Sequence, residues 1–153
     1  MNEIIKEPNE LLHQKSEPVS RPFQPEDLQL LDEMFNYVKD HEETAVGLSA
    51  VQVGVLKRMC AIRVKLGNKT VAYKLLNPRI VKRSGTVDVY KEGCLSLDCE
   101  VNVSRNTSVS VAAYDAIQRR DILINATGFL ARVLQHELDH MDGILITDKA
   151  VED

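Results

Sequence analysis

Tryptophan is missing from this sequence, and aromatic residues make up only 5% of its 153 positions. That scarcity argues against a core built on large rings and leaves few platforms for stacking nucleic-acid bases. There is no basic block, and the net charge is −4, so tight binding to a phosphate backbone is not expected. No stretch approaches the ~18 consecutive apolar residues of a membrane span. The start, Met1 to Pro8, lacks both a basic opening and a long apolar run, so it does not read as a secretory signal. Three cysteines, Cys60, Cys94 and Cys99, form no Cys-x-x-Cys pair. An odd, sparse set fits a reduced, cytoplasmic protein better than a disulfide scaffold.

What is present is ordinary globular material, 44% hydrophobic and 27% charged, and its length suits one domain over residues 1–153 with one core. The first two dozen residues read as an extended arm with Leu11-Leu12 as an apolar anchor, interrupted by Pro18 and Pro22. Residues 25 to 42 read as a helix. Pro25 suits its first turn, Glu26 and Asp27 complement its N-terminus, and Leu28, Leu31, Phe35 and Val38 make one apolar stripe. A small, glycine-containing run from Ala45 to Gly54 reads as a tight buried turn. Gln52 within it is able to aim an amide N–H at a developing oxyanion, although the stretch taken alone favours a merely hydrogen-bonded glutamine.

Residues 55 to 115 read mainly as β-structure. Met59–Val64 and Thr70–Leu76 flank Gly67-Asn68 as a hairpin, and Asn77-Pro78 is expected to end its second strand. Residues 79–83 and 85–89 suggest another pair around Ser84-Gly85, followed by strands at 101–105 and 108–114. In the latter Val109, Val111 and Ala113 share a face. A short strand at 121–124 precedes a helix from about 128 to 142, with Thr127 as N-cap and Gly143 as the C′ glycine. Ile144-Leu145-Ile146 reads as a closing strand. The expected class is α+β, with antiparallel or mixed sheets around the C-terminal helix.

That helix carries Gln135-His136-Glu137-Leu138-Asp139-His140. Positions i and i+4 lie about 40° apart around a helix axis, so His136 and His140 can grip one metal ion. Glu137, about 60° from His140, reaches a water at that ion without binding the ion itself. Asp139 points away, toward solvent or a neighbour. A catalytic metal of this kind needs a third protein ligand, and spacing alone leaves Cys94, Cys99, Cys60, His13, His41 and many carboxylates open.

Three stretches occur in a recognisable order. Gly47-Leu48-Ser49-Ala50-Val51-Gln52 is similar to the first motif of the peptide deformylases, Gly-x-Gly-Leu-Ala-Ala-x-Gln. Glu92-Gly93-Cys94-Leu95-Ser96 matches the second, and Gln135 to His140 with Gly143 matches the third. Asn77-Pro78 and Phe129 to Arg132 extend the likeness. The chain thus resembles a peptide deformylase, in a compact form without the long C-terminal helix of many bacterial members. The resemblance therefore does not extend to ribosome contacts made through that helix.

The resemblance implies removal of the formyl group from N-terminal formyl-methionine, releasing formate. It implies one divalent metal, natively Fe²⁺ with Ni²⁺, Co²⁺ or Zn²⁺ able to replace it, held by Cys94, His136 and His140. Glu137 becomes the general base and acid toward a metal-activated water. Gln52 and the Leu95 N–H form the oxyanion hole, Gly47 pairs with the substrate main chain, and Val46, Phe129 and Val133 receive the methionine side chain. The implied partners are N-formylmethionyl peptides and nascent chains at the ribosome, acted on by a monomer away from nucleic acid and membrane. Glu92 is expected to pair with Arg105, and Asp139 to orient backbone around the helix. Ala45 stands where a glycine is usual, harmless if its φ is negative, and Ser49 replaces an alanine with a hydroxyl that needs a partner. The segment 98–104 lacks a basic residue that some members place there.

Two rival readings predict different things. A His-Glu-x-x-His metallopeptidase needs a third ligand downstream, yet no histidine follows His140, and Glu-Gly-Cys-Leu-Ser stays unexplained. A non-catalytic metal- or formyl-peptide-binding homologue predicts loss of Glu137 or Gln52, and both are present.

Overall fold

Strand β2, Met59–Leu66, is buried on both faces along its first half, which is why its start reads as a continuous apolar run. Cys60, Ile62 and Val64 point into one core, Met59 and Ala61 into another. In the computed structural model, which describes residues 1–152, β2 lies inside a five-stranded sheet with a helix packed on each side. The strand order is β1 (Gly47–Ser49), β2, β3 (Lys69–Arg83), β6 (Ser108–Asp115) and β7 (Arg120–Thr127). Two further strands, β4 (Val87–Glu92) and β5 (Val101–Asn106), form a separate two-stranded sheet. All these strand pairs are antiparallel, and the architecture is α+β.

Helix α1, Pro25–Asp40, covers one face of the large sheet. Its buried stripe is turned slightly from the expected one: Leu31, Met34 and Val38 are fully buried, while Leu28 and Phe35 are half-buried at the margin. Helix α2, Gly128–Met141, lies on the other face and also touches β5, so it fills the space between the two sheets. Leu130, Val133, Leu134, Leu138 and Met141 join the core with Val109, Val111 and Ala113 of β6, whose alternation is as expected.

Five local expectations are not met. Asn77-Pro78 does not end β3. The register shifts between Leu76 and Arg79, so the missing Pro78 N–H is not needed in the ladder. Asn77 takes a left-handed φ of 54° that asparagine tolerates, and its amide bonds both the N–H and the C=O of Val19 (2.7 and 2.9 Å). Residues 79–83 are therefore the second half of β3 and pair with β6, leaving β4 to leave the sheet and pair with β5. The run 144–146 is not a strand, because the Asp148 carboxylate captures the Leu145 N–H (2.9 Å) and closes a 3₁₀ turn at Ile146–Asp148. Thr127 precedes α2 but makes no side-chain cap. The run from Ala45 is β1 followed by a 3₁₀ turn, Ala50–Val53, rather than a turn alone.

The N-terminal arm is a strap. Ile5 N–H donates to Gln52 O (2.7 Å), Glu7 N–H to Ser96 O (2.9 Å) and Ser16 N–H to Met141 O (2.8 Å). Leu12, fully buried in a 3₁₀ turn at Glu10–His13, anchors it. The strap crosses Gly143, whose φ of +74° ends α2 and whose ideal Cβ would lie 2.5 Å from His13 O. Gly143→Ala is expected to cost about 2–3 kcal/mol in urea unfolding, from left-handed strain plus overpacking. Gly85→Ala, where a Cβ meets nothing within 4 Å, should change stability by less than about 0.5 kcal/mol. Equal effects at the two sites would contradict the strap geometry.

Candidate metal centre

One turn of α2 separates His136 and His140, and their rings sit 5.0 Å apart at 66°. The turn after β4 brings Cys94 over them, with its Sγ 3.4 Å from His140 Nε2. Donor atoms of Cys94, His136 and His140 all lie within 4.8 Å of one another. A tetrahedral ion with one sulfur and two nitrogen ligands spaces its donors about 3.5 Å apart, so this set fits a thiolate–imidazole metal site with one position left open.

A buried carboxylate fixes that arrangement. Glu92, the last residue of β4, accepts from Arg105 Nε (2.7 Å) and Nη2 (2.9 Å), from Arg132 Nη1 (2.5 Å), and meets His136 Nδ1 at 2.9 Å. With its Nδ1 occupied, His136 turns its Nε2 toward Cys94 and the cleft, the usual way a carboxylate orients a metal-binding imidazole. Burial pushes Glu92 up, but the bonds from His136 and Arg105 outweigh it and hold the carboxyl well below the usual range. Asp139 accepts from Arg105 Nη1 (2.6 Å) and pairs with Lys149. Its side chain thus orients an arginine rather than backbone.

The electrostatics suit a cation at the histidine pair. Burial pulls His136 down, yet its hydrogen bonds with Cys94 and Glu92 and the charge of Glu137 push it up to about 10. His140 is held well below its ordinary value, by burial first and then by the charges of His136 and Arg105, so its imidazole is neutral and available as a ligand. Burial raises the Glu137 carboxyl, against the opposing pull of His136 and a hydrogen bond from Ser49. A carboxyl raised in this way holds and releases a proton nearer neutral pH.

Glu137 packs against β1. A Cβ on Gly47 would sit 2.6 Å from Glu137 Oε2, so only glycine fits there. Two residues along the strand, Ser49 Oγ lies 2.9 Å from both Glu137 Oε1 and Glu137 O. The added hydroxyl of Ser49 thereby has its partner, and Ala45 avoids positive φ, so neither departure disturbs the site. Ser49 N–H donates to Gln52 Oε1 (3.0 Å), which directs Gln52 Nε2 toward Ser96 Oγ (3.1 Å) and Cys94 Sγ (3.7 Å).

Gln52, Glu92, Cys94, His136 and Glu137 line one cleft of about 350 Å³. Val46, Gly47, Leu95, Phe129 and Val133 are also in its lining; His140 lies behind the wall, against Cys94. Sequence reasoning missed two supporting residues. Arg132 ties α2 to β4 and β5 through Glu92, Asp88 Oδ1 (2.8 Å) and Val103 O (2.9 Å). Its position four before His136, on the same helix face, was the available signal. For Ser96, fully buried under Gln52, the signal was its place at the end of the second motif.

Glu92→Ala leaves Arg105 and Arg132 without their buried partner and frees His136 Nδ1. The expected cost is about 3–5 kcal/mol in unfolding and about 10- to 100-fold in metal affinity, read by chelator competition. Unchanged affinity would remove Glu92 from the site.

The model of the polypeptide deformylase family matches residues 1–153. The peptide deformylase of Symbiobacterium thermophilum is 43% identical over 148 residues, covering 96% of this chain; the chain spans 65% of that relative's length. The crystal structure of a probable peptide deformylase from Synechococcus phage S-SSM7 superposes with a TM-score of 0.86 at 31% identity, over 97% of this chain and 99% of that one. The peptide deformylase of Ehrlichia chaffeensis gives 0.89 at 30% identity, over 99% and 89%. With the family model matching from end to end and the donor set of its motifs drawn together within 4.8 Å, this chain belongs to the polypeptide deformylase family.

Proposed function

We propose that this chain removes the formyl group from the N-terminal formyl-methionine of nascent polypeptides, releasing formate and a free amine. The observation that carries this reading is the meeting of three metal donors beside one cleft whose wall carries a buried carboxyl and an oriented amide. Cys94, His136 and His140 would hold one divalent metal, Fe²⁺ natively, with Ni²⁺, Co²⁺ or Zn²⁺ able to take its place. When bound, such an ion supplies a Lewis acid that acidifies water toward neutral pH and polarises a carbonyl. The single thiolate adds negative charge that a third imidazole would not, and makes the site sensitive to oxidation.

The chain's own residues do the rest. Glu137 takes a proton from the water that attacks the formyl carbon and returns it to the departing amine nitrogen. Gln52 Nε2 and the Leu95 N–H donate to the oxygen as it gains charge. β1 is the open edge of the large sheet, so main chain at Gly47 is free to pair with an extended peptide. Val46, Phe129 and Val133 take the methionine side chain. No described helix is long and apolar enough to cross a membrane. We place the enzyme in the cytoplasm as a monomer acting on chains emerging from the ribosome.

Formate release from a formyl-Met tripeptide tests the assignment in metal-loaded, anaerobic protein. Glu137→Gln should lower the rate by at least about 10²-fold, and Gln52→Ala by about 10²–10³, each with metal content unchanged. A Glu137→Gln protein within about tenfold of wild type would contradict the base assignment.

A further inference from the structure

Strand β1 presents Gly47 and Ser49 on one side, two residues apart, and both touch Glu137. Gly47 gives Oε2 room at the cleft wall, while Ser49 Oγ reaches Oε1 from behind at 2.9 Å. Ser49 is fully buried, so water does not compete for its bond to Oε1. The motif that this stretch resembles has alanine at the position, and the hydroxyl is a feature of this chain. From this geometry we propose that Ser49 is a positioning residue for Glu137: it holds Oε1 by a hydrogen bond and so commits Oε2 to the proton exchange at the cleft.

Ser49 Oγ occupies Oε1 from behind at 2.9 Å and so fixes the direction in which the carboxylate faces. Oε2, pressed against Gly47 with no room for a side chain between, is the oxygen left to meet water in the cleft. A hydroxyl carries one proton but has two acceptors here, Oε1 and the Glu137 carbonyl, both at 2.9 Å. The bond to the carbonyl is purely structural and bears on stability. The bond to Oε1 bears on turnover, and kinetics separates the two.

This inference rests on the deformylase reading, and the test distinguishes their failures. In Ser49→Ala, kcat for formate release should fall about tenfold, with KM within about twofold because no substrate contact is lost. Metal content should be unchanged. Ser49→Thr, which restores the hydroxyl, should recover most of kcat. Crystal structures of wild type and Ser49→Ala supply a readout independent of turnover: the variant's Glu137 carboxylate should take a second orientation. A variant with wild-type kcat, or one whose carboxylate keeps a single unchanged orientation, would overturn the proposal while leaving the deformylase reading intact. If wild type itself released no formate, that reading would fail, and the orientation of the carboxylate alone would decide the role of Ser49.

Discussion

The Glu92 carboxylate is the contact on which the rest of the site depends. It ends β4, binds Arg105 of β5, and reaches Arg132 and His136 of α2, so one buried side chain joins three elements. Isolated, such a charge would be untenable in a low-dielectric interior. Here two guanidinium groups and an imidazole satisfy it, and the gain is in geometry more than in stability. β4 and β5 carry Cys94 in the turn between them. Fixing that hairpin on α2 fixes the distance from the thiol to the histidines.

A second constraint acts from the opposite side. β1 is short, wholly buried and open at its outer edge. It gives Glu137 a surface with room at Gly47 and a hydrogen bond at Ser49, and it leads into the turn that aims Gln52 at Cys94. The N-terminal strap then holds this wall to the loop after β4, through Ile5 to Gln52 O and Glu7 to Ser96 O. The cleft is thus clamped between two independently braced walls. This is the arrangement that catalysis by fixed dipoles and positioned proton carriers requires.

How much of this was legible in the sequence depended on whether the information was local. The α2 register follows from the spacing of its apolar residues and histidines, and the structure places His136 and His140 one turn apart as that spacing demands. The alternation of β6 and the hairpin of β2 and β3 were equally local. The partition into two sheets was not, because whether residues 79–83 pair with β4 or β6 depends on partners distant in sequence. The bulge at Asn77 hid β3's length, since Asn-Pro reads as a break unless the arm it binds at Val19 is known. The Glu92–Arg105 pair was expected from the motif context, yet the third partner, Arg132, came to light only with the packing of α2. The Asp139 link to Arg105 is likewise set by packing, not by its place in the motif.

On this reading the buried carboxylate network holds Cys94, His136 and His140 ready for one metal ion. Anaerobic titration of metal-free protein with Co²⁺, followed by absorption, tests it most directly. Saturation is expected at about one equivalent, with a thiolate-to-cobalt charge-transfer band and tetrahedral ligand-field absorption. The band should vanish in Cys94→Ala and persist in Cys99→Ala and Cys60→Ala. Absence of the band in wild type, or its survival without Cys94, would contradict the assembly of the site.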